Sequence, residues 1–84
     1  MAFTVQFTKA ALKAIKRMPA TDATRVREKI DQYAAAPESL ANNVTKLTGS
    51  DYIRLRVGDY RVIMLPDGTI LLIVAVGPRG SIYD

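Results

Sequence analysis

Hydrophobic and polar positions alternate at the start of the chain. In Ala2-Phe3-Thr4-Val5-Gln6-Phe7 the apolar residues Phe3, Val5 and Phe7 fall on one face, the period-two signature of a half-buried strand. The period then lengthens. Thr8 is a good N-cap, and from there to Met18 the apolar stripe is Leu12, Ile15 and Met18, helped by Ala11, with Lys9, Lys13, Lys16 and Arg17 outside it. Pro19 disfavours helical geometry in the residue before it, so the first helix is expected to end at Met18. Ala23, Val26, Ile30 and Tyr33 recur at helical spacing through a second helix over 21–36, which Pro37 stops. The short Pro19-Ala20 connection predicts an antiparallel helical hairpin.

The rest of the chain reads as sheet. Residues 37–45 carry Ser, Asn and Pro and are expected to form a loop, and Lys46-Leu47 opens a short strand before a Gly49-Ser50 turn. Strands follow over 51–57, 60–65 and 69–76, punctuated by Gly58-Asp59 and Pro66-Asp67-Gly68. The last is apolar on both faces, which suits a central position. No repeat, low-complexity stretch or linker interrupts the pattern. The expectation is a single domain over residues 1–84, α+β in class and β-α-α-β-β-β in order, with an N-terminal helical hairpin packed on a mainly antiparallel sheet.

The hairpin register places the charges. With Gly58-Asp59 as a two-residue turn, Val57 pairs with Tyr60, Arg56 with Arg61, Leu55 with Val62 and Arg54 with Ile63. Ile53, Leu55, Val57, Tyr60, Val62 and Met64 then share the core face, and Tyr52, Arg54, Arg56 and Arg61 share the other. A three-residue loop at Pro66-Asp67-Gly68 would continue that second face through Leu71 and Ile73 towards Gly77 and Arg79. Arg56 thus faces Arg61 with no acid between them, an arrangement that costs stability unless an anion visits it. The same pattern also fits the ordinary solvated face of an antiparallel sheet. Ile63 and Leu71 would give the face apolar walls, while the lysines of the first helix read as solubilising charge. Gly77-Pro78-Arg79-Gly80 reads as a turn and matches no phosphate-loop motif.

Composition narrows the chemistry. The 84 residues contain neither cysteine nor histidine, which excludes disulfides, the usual zinc sites, Ser-His-Asp hydrolysis and imidazole acid–base catalysis. Twelve Lys and Arg against eight Asp and Glu leave a net charge of +4, suited to an anionic partner such as nucleic acid or an acidic protein. No apolar run is long enough to span a membrane, and the lysine-rich segment after Phe7 is unlike a secretory signal. A cytoplasmic protein with no membrane partner is expected.

Two segments resemble a known family. Tyr52-Ile53-Arg54-Leu55-Arg56-Val57-Gly58-Asp59-Tyr60-Arg61-Val62-Ile63 is similar to the signature hairpin of the RelE/ParE toxin superfamily. Val76-Gly77-Pro78-Arg79-Gly80-Ser81-Ile82-Tyr83 resembles that superfamily's closing Val-Gly-x-Arg-x-x-x-Tyr, and the opening strand and first helix also fit. The resemblance implies the toxin of a bacterial type II toxin–antitoxin pair, held by a cognate antitoxin and meeting operator DNA only through it. In the RelE branch the toxin enters the ribosomal A site and cuts messenger RNA without a metal or other cofactor; the ParE branch poisons DNA gyrase. An inactive antitoxin-binding homologue is a further alternative. The family's ribonuclease residues carry over to Arg54, Arg61, Arg79 and Tyr83 as catalytic candidates, with Tyr52, Arg54, Arg56, Arg61 and Arg79 as RNA-binding candidates. Tyr52 stands where such sites have a further lysine, and Pro78 where they often have a polar residue.

Overall fold

The computed structural model describes residues 3–82. Strand β1 (Thr4–Phe7) leads into helix α1 (Lys9–Lys16), and helix α2 (Ala20–Ala35) follows after three residues. A 3₁₀ segment (Pro37–Asn43) and four strands complete the chain: β2 (Val44–Lys46), β3 (Ile53–Val57), β4 (Tyr60–Asp67) and β5 (Ile70–Pro78). The sheet order is β1-β5-β4-β3-β2, antiparallel throughout except for the parallel β1–β5 pair. The parallel pairing makes β5 an interior strand flanked by β1 and β4, in keeping with its two-sided apolarity. Among the described residues no helix is long and apolar enough to cross a membrane.

One face of the sheet makes the core. Ala11 and Ile15 of α1 and Val26, Ile30 and Ala34 of α2 pack on Leu55, Val57, Val62, Met64, Leu71, Ile73 and Val76. Phe3, Val5 and Phe7 line the same side, and the Phe3 ring stacks on Tyr33 at 6.4 Å between centroids. The expected loop after α2 is instead partly helical, because Leu40 turns inward and is buried against this cluster. The short strand β2 accordingly starts at Val44, before Lys46-Leu47, and Leu47 lies beyond it. Helix α1 stops at Lys16, two residues early, and its cap Arg17 donates its N–H to the carbonyls of the last turn.

The β3–β4 register is the one the sequence predicts, from Val57 opposite Tyr60 to Arg54 opposite Ile63. The next hairpin is not. Asp67 pairs with Ile70, so the turn is Gly68-Thr69, with Gly68 at φ +59°, a left-handed conformation that fits a glycine in a two-residue hairpin turn. This shorter turn moves Leu71 and Ile73 from the expected arginine face to the core, where both are 0% exposed. A bulge then restores the parity: Met64 pairs with Ile73 but Ile63 with Ala75, leaving Val74 as the extra residue. Gly77 therefore does lie on the arginine face, as expected, but by a different route and directly opposite Arg61, where the expected loop would have put Ile73.

Thr8 holds the bulge in place. Its backbone N–H donates to the Ile73 carbonyl (3.0 Å) and its hydroxyl to the Val74 carbonyl (2.8 Å). The same hydroxyl oxygen accepts from the Ala11 N–H (3.1 Å), capping α1. On the other side of the core, the Tyr60 hydroxyl donates to Asp22 Oδ2 of α2 (2.9 Å). That hydrogen bond to a carboxylate, followed by desolvation and the nearby charges of Asp22 and Asp59, raises the Tyr60 pKa above its usual 10.0.

Two outcomes follow for stability. Thr8→Val removes both the cap and the donor to Val74, and should cost about 1–2 kcal/mol in chemical denaturation, while Thr8→Ser keeps both bonds and most of the stability. Because the Tyr60 pKa is raised on folding, its contribution is complete below the unfolded value near 10 and is lost as pH rises through the folded value. The stability of the native chain to denaturant should therefore fall more between neutral pH and pH ~11 than that of Tyr60→Phe, which has no phenol proton to lose.

Candidate functional site: the open face of the sheet

The face away from the helices carries the arginines. Side chains alternate along each strand, so burying Leu55, Val57, Val62 and Val76 turns Arg54, Arg56, Arg61, Ile63, Ala75 and Gly77 outward. Two rows result. Arg56, Arg61 and Gly77 lie side by side on β3, β4 and β5, and Arg54, Ile63 and Ala75 form the row beside them. Thr45 of β2 extends the second row. Neither row contains an acid. Arg56 is exposed; Arg54 and Arg61 are partly buried.

The β3–β4 turn organises two of the arginines through three successive carbonyls. Arg61 Nη1 donates to Gly58 O (3.2 Å) and Tyr60 O (3.0 Å), which folds the side chain back along the turn. The Arg79 backbone N–H donates to Asp59 O (2.8 Å). Residues separated by eighteen positions are thereby tied together at one end of the sheet, with Arg79 exposed.

Gly77 makes this return possible. A Cβ there would come within 2.9 Å of Ile82 Cδ1, so the absent side chain leaves room for Ile82 to fold over β5. The segment between them turns as expected, with Ser81 donating from its N–H (3.2 Å) and its hydroxyl (2.9 Å) to the Pro78 carbonyl. Tyr83, the fourth catalytic candidate, lies outside the described residues.

Two tyrosines flank the arginine hairpin, and of these Tyr60 is on the helix side, bonded to Asp22 with a raised pKa. It is therefore off the arginine face, and its phenol gives up its proton less readily than a free one. Tyr52 is 38% exposed and stands at the edge of the open face, in the turn before β3. Beside it lies a feature the sequence hinted at only through Ile63: an apolar cavity of about 450 Å³ lined by Leu47, Ser50, Tyr52, Ile63, Val74 and Ala75. Leu71, the other expected wall, is in the core. No sequence signal marked Val74 or Ala75, because only the bulge brings both beside Ile63.

The arrangement can grip a polyanion. Arginine offers planar, bidentate donors to phosphate oxygens and remains charged at any physiological pH. It is a poor proton acceptor for the same reason, so this face is built for binding and charge stabilisation more than for proton transfer.

Comparison with known proteins agrees with this geometry. Residues 5–83 match the family model of the ParE toxin of the type II toxin–antitoxin system parDE. The chain is 30% identical over 87 residues to the RelE1 protein of Methanocaldococcus jannaschii, covering 99% of this chain and 97% of that one. It superposes on an archaeal RelE–RelB complex from Pyrococcus horikoshii with a TM-score of 0.81 at 31% identity, covering 95% of this chain and 98% of that one. A RelB–RelE antitoxin–toxin complex from Methanococcus jannaschii gives a TM-score of 0.73 at 28% identity, covering 93% and 94%. The five-stranded sheet with its helices on one face is the fold of these toxins, and the arginine rows occupy the face it leaves open. The chain belongs to the RelE/ParE superfamily and is a toxin of a type II toxin–antitoxin system.

Proposed function

We propose that this toxin is a metal-independent endoribonuclease that cleaves messenger RNA in the ribosomal A site and is restrained by a cognate antitoxin. The observation that supports this reading is the cross-strand pair Arg56–Arg61, on the sheet face away from the helices, with Arg79 tied to the same turn. Placing like charges opposite each other costs stability, and a bound phosphate backbone repays it.

The chemistry asked of the site is modest. An RNA 2′-hydroxyl attacks the adjacent phosphorus, the 5′-oxygen of the next nucleotide leaves, and the products are a 2′,3′-cyclic phosphate and a 5′-hydroxyl. Arg61 and Arg79 grip the phosphate and stabilise the charge that builds on its non-bridging oxygens, with Arg54 and Arg56 orienting the flanking strand. Tyr52 offers an aromatic surface, and Tyr83 follows Arg79 closely enough in sequence to serve a base or a proton. With an arginine at position 54, the open face lacks a good general base among the described residues. That shortage favours dependence on the ribosome, and a ribosomal target places the action in the cytoplasm. The antitoxin enters the proposal because relatives of the same fold are found in toxin–antitoxin complexes. The short edge strands β1 and β2 are natural places for such a partner to add a strand.

The test is cleavage of messenger RNA on purified 70S ribosomes with a filled P site and an empty A site. The native chain should make discrete cuts in the A-site codon, and Arg61→Ala and Arg79→Ala should each slow them by about 10²–10³-fold while remaining folded. Undiminished cutting by both variants would remove these arginines from the site. The ParE name of the matching family model favours a second reading, inhibition of DNA gyrase. Intact RNA together with blocked supercoiling would select it. Independently, binding of single-stranded RNA should weaken with salt at a log–log slope of about −0.7 for each phosphate held, hence about −2.8 if all four arginines take part.

A further inference from the structure

The open face of an antiparallel sheet is ordinarily polar, yet here its middle is apolar. Ile63 points away from the core and is still only 2% exposed, because the turn between β2 and β3 stands beside it. That turn is pre-formed. The Leu47 N–H donates to Tyr52 O (3.0 Å), the Ser50 N–H (3.2 Å) and hydroxyl (3.0 Å) donate to Leu47 O, and the Tyr52 N–H donates to Ser50 Oγ (3.3 Å). The opposite wall is the bulge, which sets Val74 and Ala75 side by side across from Ile63. The resulting cavity, about 450 Å³, lies within the range of ~300–1,000 Å³ typical of small-ligand sites.

Its position relates it to the arginines. Ile63 pairs with Arg54 and lies two residues along β4 from Arg61 on the same face, a step of about 6.7 Å. This is close to the distance between successive phosphates of an extended single strand. A strand laid with one phosphate on the Arg56–Arg61 pair therefore carries a neighbouring base over Ile63. There it meets aliphatic walls and the exposed ring of Tyr52. We propose that this cavity receives one unpaired nucleobase of the RNA held by the arginine rows. The inference rests on the nuclease reading and deepens it by naming a base subsite.

The wall chemistry also sets its selectivity. Ser50 Oγ is already donor to Leu47 O and acceptor from Tyr52 N–H, and the remaining lining side chains other than Tyr52 are aliphatic. The cavity therefore grips a base by its faces and reads its hydrogen-bonding edge weakly, so all four bases enter with similar affinity. The basic rows argue for a nucleic acid as occupant over an apolar side chain of a protein partner.

The experiment uses the whole chain labelled at the Ile63, Val74 and Ala75 methyls, followed by NMR during titration. The probe is a 2′-O-methylated RNA trinucleotide, which cannot undergo 2′-hydroxyl attack, compared with the same strand made abasic at its middle position. The base-bearing strand should shift the cavity methyls and bind about tenfold more tightly than the abasic one, whichever base it carries. Ala75→Leu, which fills the cavity, should reduce the base-bearing strand to the abasic affinity without changing the salt slope; Tyr52→Ala should lose a similar factor. If Ala75→Leu does not fold, the base-bearing and abasic comparison on the native chain decides unaided. Equal affinity of the two strands with the salt dependence intact would overturn the subsite and leave the arginine site standing. Absence of salt-dependent binding to either strand would overturn both. Cavity methyls that shift with the cognate antitoxin but not with RNA would give the cavity to the protein partner and overturn the proposal.

Discussion

The Thr8 hydroxyl joins the helical and sheet halves of this toxin at the point where the register of β5 is decided. It caps α1 through the Ala11 N–H and donates to the carbonyl of Val74, the extra residue of the bulge. A bulge breaks the regular ladder and leaves a polar group in need of a partner; left unpaired in a part-buried place, that carbonyl would cost about 1–3 kcal/mol. Thr8 supplies the partner. Everything beyond Val74 depends on the one-residue shift, because side chains on a strand alternate with a period of two. With it, Val76 fills the core and Gly77 lies beside Arg61. Without it, Val76 would be turned out of the core and Gly77 turned into it.

The shift matters because the two faces have opposite requirements. The inner face must exclude water and does so with aliphatic side chains from both helices and all of the long strands. Among the described residues no helix covers the outer face, so much of its content is free to serve a partner. Arginines are placed in it where a stability-driven sequence would mix charges, and the turn carbonyls of Gly58, Asp59 and Tyr60 help to position two of them. Carbonyl acceptors fix the direction of a guanidinium while it keeps its charge, which suits an anion-binding surface. Tyr60 and Asp22 belong to the other side of the sheet, where their hydrogen bond ties β4 to α2.

Much of this was legible in the residues. The change from alternation to a 3.6-residue period between Phe7 and Leu12, the proline stops at Pro19 and Pro37, and the Gly58-Asp59 turn are local signals, and each specifies its element without help from distant contacts. The pairing of Arg56 with Arg61 follows from that turn alone, which is why the heart of the arginine face could be placed before any coordinates. The expected three-residue loop at Pro66-Asp67-Gly68 placed Leu71 and Ile73 on the wrong face. An omitted bulge cancelled the error by Gly77.

Sequence alone determined the order of elements, the arginine-rich side of the central hairpin and the absence of thiol and imidazole chemistry, because composition, periodicity and tight turns are local properties. Tertiary structure decided that Leu40 turns into the core within a kinked 3₁₀ segment, that β5 bulges at Val74 and that a cavity opens between Tyr52, Ile63 and Ala75. It also decided that Arg79 meets the turn carrying Arg61. Each of these rests on groups far apart in the chain satisfying one another: Thr8 with Val74, Asp59 with Arg79, Gly77 with Ile82. Such contacts leave no periodic trace, since either partner alone is an ordinary residue and only the folded chain brings the two within bonding distance.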